Sequence, residues 1–224
     1  MKKILCKWVL VDEDNNPISN QFFDWCGYFH EGFARVILND KCNFINQEGN
    51  YLSDQWFDRC GDFYEGVAIV KLNEKCNFLT KEGKLLSNQW FDDCSYFCEG
   101  FARVELNGKW NFINQEGQLL SNQWFDRCGD FREDFATVEL NGKWNSLTKE
   151  GKLTSDQWFD RCYYFREGFA TVMLNKKWNF LTKEGKLLSN QWFDWCSNFH
   201  EGVARVGLNG RDCKINTNGQ LFTV

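Results

Sequence analysis

The side chains with reactive chemistry in this sequence recur in register. Cysteine stands at Cys26, Cys60, Cys94, Cys128, Cys162 and Cys196. Aspartate stands at Asp24, Asp58, Asp92, Asp126, Asp160 and Asp194, and glutamate at Glu31, Glu65, Glu99, Glu133, Glu167 and Glu201. Thiolates hold zinc only by converging on one ion at about 2.3 Å each, and equivalent positions of successive repeats are too far apart for that. No C-x-x-C occurs, and Cys94 with Cys98 gives only C-x-x-x-C. The cysteines therefore read as small apolar core residues. Six identical carboxylate pairs argue against acid–base catalysis, which needs one specialised site. The aspartates are expected to cap backbone N–H groups in a turn. The glutamates are expected to do the same, or to pair with the lysine that begins the second strand of the repeat. His30 and His200 share one repeat position far apart in the chain and read as exposed loop residues. There is no Ser-His-Asp set, no phosphate-cradling glycine loop and no zinc motif. The sequence predicts a non-enzymatic protein with no catalytic residue, no cofactor and no metal.

A formal net charge of -5 argues against general polyanion binding, so no nucleic-acid partner is expected. No apolar run approaches the roughly 20 residues of a membrane-spanning helix, so no membrane association is expected. The start, MKKILCKWVL, has the lysines of a lipoprotein signal, but Lys7 interrupts a short apolar stretch where a signal needs about 7–15 apolar residues. No targeting segment is read. An odd number of cysteines, 11, favours free thiols in a reducing cytoplasm over a disulfide framework.

The constant spacing of the reactive residues is the spacing of the whole chain. Gln21, Gln55, Gln89, Gln123, Gln157 and Gln191 are 34 residues apart without a slip, which marks a repeat architecture. Residues 1–20 align with the second half of a repeat: Lys7-Trp8 matches Lys109-Trp110, and NNPISN matches GQLLSN. The organisation is an N-terminal half-repeat cap at 1–20 and six repeats at 21–54, 55–88, 89–122, 123–156, 157–190 and 191–224, forming one continuous domain.

Within a repeat, FARVEL (101–106) alternates, with Ala102, Val104 and Leu106 on one face, and so predicts a strand. Asn107-Gly108 predicts a tight type I′ turn. KWNFI (109–113) predicts the second strand and QLLS (118–121) a short third one. Gly49, Gly83, Gly117, Gly151, Gly185 and Gly219 close the intervening loop at positive φ. NQWFDRCGDFRE then reads as an irregular crossover. One such unit cannot hide its aromatic rings, whereas stacked units can. Trp56, Phe57 and Phe63 are the expected plugs between one sheet and the next. Asp134 replaces the glycine that follows the repeated glutamate elsewhere, so the fourth repeat is expected to carry strain if that position requires positive φ.

The run F-x-E-G-x-A-x-V-x-L-N-G-K-W-N-F-I-N-Q-E-G resembles the bacterial WG (KWG) repeat. Phe97, Glu99, Gly100, Ala102, Val104, Lys109, Trp110, Phe112, Ile113 and Gly117 carry the resemblance in the third repeat, and it spans essentially the whole chain. The resemblance implies an all-β, non-enzymatic repeat module with no catalytic residues to transfer. The glycine after the naming tryptophan is replaced by Asn43, Asn77, Asn111, Asn145 and Asn179, a residue that tolerates left-handed geometry. The tryptophan itself is replaced by Cys42, Cys76 and Asp212. The expected fold is all-β, with tandem three-stranded meander or hairpin repeats stacked in an open solenoid-like array. The alternative is a closed six-bladed propeller-like ring. The repeat is short for a propeller blade, and a surplus half-repeat suits the capped end of an open array.

Specificity should lie where the repeats differ. Trp25, Arg59, Asp93, Arg127, Arg161 and Trp195 occupy one variable position; Tyr28, Asp62, Tyr96, Asp130, Tyr164 and Asn198 occupy another. The outward strand position holds Arg35, Ile69, Arg103, Thr137, Thr171 and Arg205, all expected to face solvent. Trp25, Tyr28, Arg59, Arg127, Arg161, Tyr164 and Trp195 are the candidate interaction surface, being of the types that dominate binding hot spots. The expected function is a scaffold for an unknown protein partner. The alternative is a carbohydrate-binding array, which requires the tryptophan of the QWFD motif to be open to solvent. Strand edges at the array ends favour weak self-association.

Overall fold

A computed structural model describes residues 2–4, 7–9, 11, 14, 16, 17 and 21–223. Of the NNPISN stretch matched to GQLLSN, Pro17 bridges Val11 as Leu119 bridges Ile113, and residues 15 and 18–20 lie outside the described residues, as does much of the signal-like start. Among those described there is no helix, and every regular element is a strand. The fold is all-β, built of repeated three-stranded antiparallel sheets.

The fourth repeat shows the plan. Arg127–Cys128, Phe135–Leu140 and Lys143–Thr148 lie side by side, with Arg127 opposite Glu139 and Val138 opposite Asn145. The two long strands fall where alternation places them, and Ala136 and Val138 are fully buried. Their connection has Asn141 at φ 52° and Gly142 at φ 75°, the double positive φ of a type I′ turn. Asn39-Asp40 takes the same shape without glycine, at 50° and 60°.

The expected third strand forms in the sixth repeat, where Leu221–Thr223 pairs with Arg211–Asn216, but not in the third repeat. QLLS contributes only a single bridge, Ile113 to Leu119. The two residues that open the supposed crossover, such as Arg127–Cys128, complete the sheet instead. The reason is competition for an edge. Trp144 on the outer strand exchanges both backbone hydrogen bonds with Phe159 of the next repeat, 2.7 and 2.9 Å, leaving little edge for the residues between.

These bridges stack consecutive repeats and create the cores. The chain divides into two compact lobes: Met1–Phe97 with Val104–Asn107 and Gln115–Gln118, and Cys98–Arg103 with Gly108–Asn114 and Leu119–Val224. In the first lobe, Cys42 and Phe44 of one repeat pack with Phe57, Phe63, Ala68 and Val70 of the next. In the second, Phe180 packs with Phe193, Phe199, Ala204 and Val206 in the same way. Phe57 and Phe63 are buried plugs as expected, and Trp56 is half-buried. Gly83, at φ 75°, is doubly required: a Cβ there would overlap the carbonyl oxygen of Leu52 in the preceding repeat.

The repeated polar residues hold the stack together. Asp58 accepts from the Lys41 ammonium of the preceding repeat and, at 2.7 Å, from the Asn73 N–H of its own turn. The lysine that begins the second strand therefore pairs with aspartate, not with glutamate. Glutamate instead reaches forward one repeat: both oxygens of Glu99 accept backbone N–H groups, of Glu133 and Asp134, at 3.1 Å each. The asparagines after the naming tryptophan are not left-handed. Asn179 is fully buried, donates to the carbonyls of Ser189 and Gln191 at 2.8 and 3.1 Å, and accepts the Phe180 N–H at 2.8 Å. Glycine could supply none of these bonds.

The expectation of free thiols is overturned for four cysteines. Cys42 is bonded to Cys60 and Cys76 to Cys94, each pair joining one repeat to the next. Cys26, Cys128 and Cys162 are free and buried, as core packing requires.

Candidate functional site

The second lobe contains a cleft of about 590 Å³ where the third, fourth and fifth repeats adjoin. Arg103, Arg127, Arg161, Trp144, Tyr163 and Tyr164 are among its walls. Arg127 opens the two-residue leading strand of the fourth repeat and Arg161 the six-residue leading strand Arg161–Arg166 of the fifth, each at the edge of its sheet, and both side chains are exposed. Arg127 is 75% exposed and its Nε lies 3.4 Å from the Glu139 carboxylate. Arg161 has no carboxylate partner among the described residues and reaches only the Tyr163 hydroxyl, at 3.4 Å. Arg103 is held more firmly, by Asp130 at 2.7 Å and the Cys128 carbonyl at 2.9 Å.

The aromatic walls are positioned by their neighbours. Tyr163 stacks on Trp178 with ring centroids 6.0 Å apart. Arg132 lies 4.7 Å over the ring of Tyr164. Tyr164 fits because Gly129 has no side chain; a Cβ there would overlap the tyrosine hydroxyl. Burial pushes Cys162 up to about 12 and raises Cys128 further, so both stay protonated at neutral pH. Asp160 is held below the ordinary aspartate value by Lys143 and then by the Asn175 N–H, and is engaged in structure. The cleft offers guanidinium donors and aromatic faces, a set suited to binding carboxylates and planar groups.

Of the seven expected surface residues, Arg127, Arg161 and Tyr164 come together in this cleft. Trp25 and Tyr28 line a separate cleft of about 530 Å³ in the first lobe, with His30 and Arg35. There Arg35 stacks on Trp25 at 4.9 Å, and Tyr28 is 89% exposed. Arg59 lines a smaller groove of about 270 Å³, beside Lys41, Asp58 and the Cys42–Cys60 bond. Trp195 lies under Arg205 at 5.9 Å, across Gly207, where any Cβ would strike the indole. His30 and His200 are exposed, though His30 ends a strand rather than sitting in a loop.

The outward strand position does not uniformly face solvent. Thr137 and Thr171 are buried, at 5% and 6% exposure. Residues of the following repeat cover them, as shown by the Thr171 hydroxyl donating to Asn198 at 3.3 Å. Trp144 is a wall residue that sequence reasoning assigned to the constant framework; its half-exposed ring is visible only once the stack is built.

The WG containing repeat family matches residues 10–42, 44–76, 91–110, 112–144, 159–178 and 193–211, more than half of the chain. The chain belongs to the WG containing repeat family. Among curated proteins none matches it. Among solved structures, Hsv2p of Kluyveromyces lactis is similar at 10% identity with a TM-score of 0.39, over 90% of this chain and 83% of that one. A Bacteroides caccae protein of unknown function is similar at 11% identity with a TM-score of 0.29, over 82% of this chain and 89% of that one.

Proposed function

We propose that this chain is a non-catalytic binding module that engages a protein partner through the arginine- and aromatic-lined cleft of its second lobe. The observation that carries the reading is the convergence of Arg127, Arg161 and Tyr164, three residues that vary between repeats, on one cleft with Trp144 and Tyr163. Arg161 lacks an internal carboxylate partner among the described residues, so the partner segment supplies one, with a planar side chain against the aromatic walls. The carbohydrate alternative relies on open QWFD tryptophans. Trp56, Trp90, Trp158 and Trp192 instead pack against the cores, which weighs for a protein partner.

The test compares the parent with an Arg127→Glu/Arg161→Glu variant. Both are titrated with peptides rich in glutamate and tyrosine, following tryptophan emission, and both are used as bait for partner recovery. Parent binding that weakens about tenfold or more in the variant supports the reading, since a desolvated charge pair is worth several kcal/mol. Equal binding and equal recovery by the two proteins would sink it.

A further inference from the structure

We propose that Cys42–Cys60 and Cys76–Cys94 form a paired oxidative modification site that makes the joints between the first three repeats covalent, taking the place that tryptophan holds in later repeats. The argument starts from register. Cys42 and Cys76 stand where Trp110, Trp144 and Trp178 stand further along, and each is bonded to the repeated cysteine 18 residues on. Where the tryptophan is retained, the equivalent thiols Cys128, Cys162 and Cys196 are free. The repeated cysteine therefore waits in every joint, and exchanging one tryptophan for cysteine completes a bond. The Cα separations of 6.1 and 6.2 Å are ones a disulfide spans.

The joint explains why the exchange is tolerated. Trp110 packs against a core containing Phe125, Cys128 and Phe131. The equivalent core in the first lobe contains Phe57, Cys60 and Phe63, with Cys42 in place of the ring. Losing a half-buried indole removes apolar contact from the joint. A bond between the two repeats offsets that loss by restricting the unfolded chain. The chemistry is thiol–disulfide exchange. In each pair two thiols release two protons and two electrons to a small-molecule disulfide, which departs as two thiols, and an S–S bond forms in the protein. A small thiol in excess reverses the reaction. The backbone bridge between Cys42 and Phe57, 2.8 and 2.9 Å, does not depend on the bond, so reduction loosens the joint without undoing the strand pairing.

The test uses the full chain, equilibrated with oxidised glutathione, alkylated without reduction, digested and mapped by mass spectrometry. The expected products are linked peptides joining Cys42 to Cys60 and Cys76 to Cys94, with Cys128 and Cys162 unlinked. Dithiothreitol should lower the melting temperature by about 10 °C. A Cys42→Trp/Cys76→Trp variant should melt at the same temperature with or without reductant. If that variant does not fold, Cys42→Ala/Cys76→Ala should melt like the reduced parent under both conditions. Alkylation of all four cysteines after oxidation, a different pairing, or a melting temperature indifferent to reductant in the parent would each overturn the proposal.

Discussion

The carboxylate of Glu167 accepts the backbone N–H groups of Glu201 and Gly202, one repeat further on, both at 2.9 Å. The same forward clasp joins Glu99 to Glu133 and Asp134. A tight turn with two residues at positive φ points its N–H groups outward, and the preceding glutamate is placed to collect them.

This clasp makes stability depend on pH. The N–H groups of Gly202 and then Glu201 hold Glu167 below the ordinary glutamate value of 4.5. Asp58 is held below the ordinary 3.8 by Lys41 and then by the Asn73 N–H, and Asp92, Asp126 and Asp160 behave alike. A carboxyl whose folded value is depressed binds fewer protons folded than unfolded. Its contribution is present above the unfolded value and is lost as pH falls through the folded one. The melting temperature should therefore be flat from pH 7 to about 5 and fall below about 4. Glu167→Gln should flatten part of that fall. An acid limb identical in parent and variant would show that the clasp contributes nothing.

The buried asparagines give a second prediction. Replacing Asn179 by alanine leaves the Phe180 N–H and the Ser189 carbonyl without their partner inside a fully buried joint. The cost should be about 1–3 kcal/mol in urea unfolding. Asn179→Gly, which restores the residue of the WG motif, should be no better, because glycine supplies neither group. Rescue by glycine would mean that backbone freedom, not hydrogen bonding, governs the position.

That contrast shows what was legible in the sequence. The period and the two long strands were visible because alternation and the Asn-Gly turn are local signals, as at Phe101–Leu106. The leading strand was not, since two residues such as Arg127–Cys128 carry no period. Asn179 could be read as a tolerated glycine replacement, because its partners lie 10 and 12 residues on and across a turn. Arg127, Arg161 and Tyr164 stood out because they vary against a constant frame. Trp144 was hidden by belonging to that frame. The disulfides did leave a trace: cysteines 18 residues apart appear where the tryptophan is missing, at Cys42 and Cys76. Its meaning needed the stacking of one repeat on the next.

The turn at Asp134 supplies a third prediction. Asp134 has φ 71°, close to the 85° of Gly66 and Gly168 at the same position, so the expected left-handed site is real. Asp134 also pairs with Lys149 at 2.8 Å. Asp134 is 67% exposed, so the pair is screened by solvent, and Lys149 keeps Glu99 as a second partner at 3.2 Å. Asp134→Gly should relieve the backbone and raise the melting temperature by about 2–4 °C. A fall would mean that the ion pair outweighs the strain.

The last prediction transplants the joint. Trp144 occupies the register of Cys42, and the free thiol of Cys162 lies 18 residues on, as Cys60 does from Cys42. Trp144→Cys should therefore form a bond to Cys162 when treated with oxidised glutathione, detectable as a linked peptide after alkylation and digestion. The same substitution removes an aromatic wall of the second-lobe cleft. Oxidised Trp144→Cys should thus melt higher than its reduced form while binding the acidic peptides more weakly than the parent in either state. The two readouts separate two roles of one residue: melting follows the joint, and binding follows the wall. If the variant stays unlinked under oxidation while Cys42 and Cys60 are bonded in the same sample, register alone does not define the joint, and the local fit of each repeat pair must decide which cysteines meet.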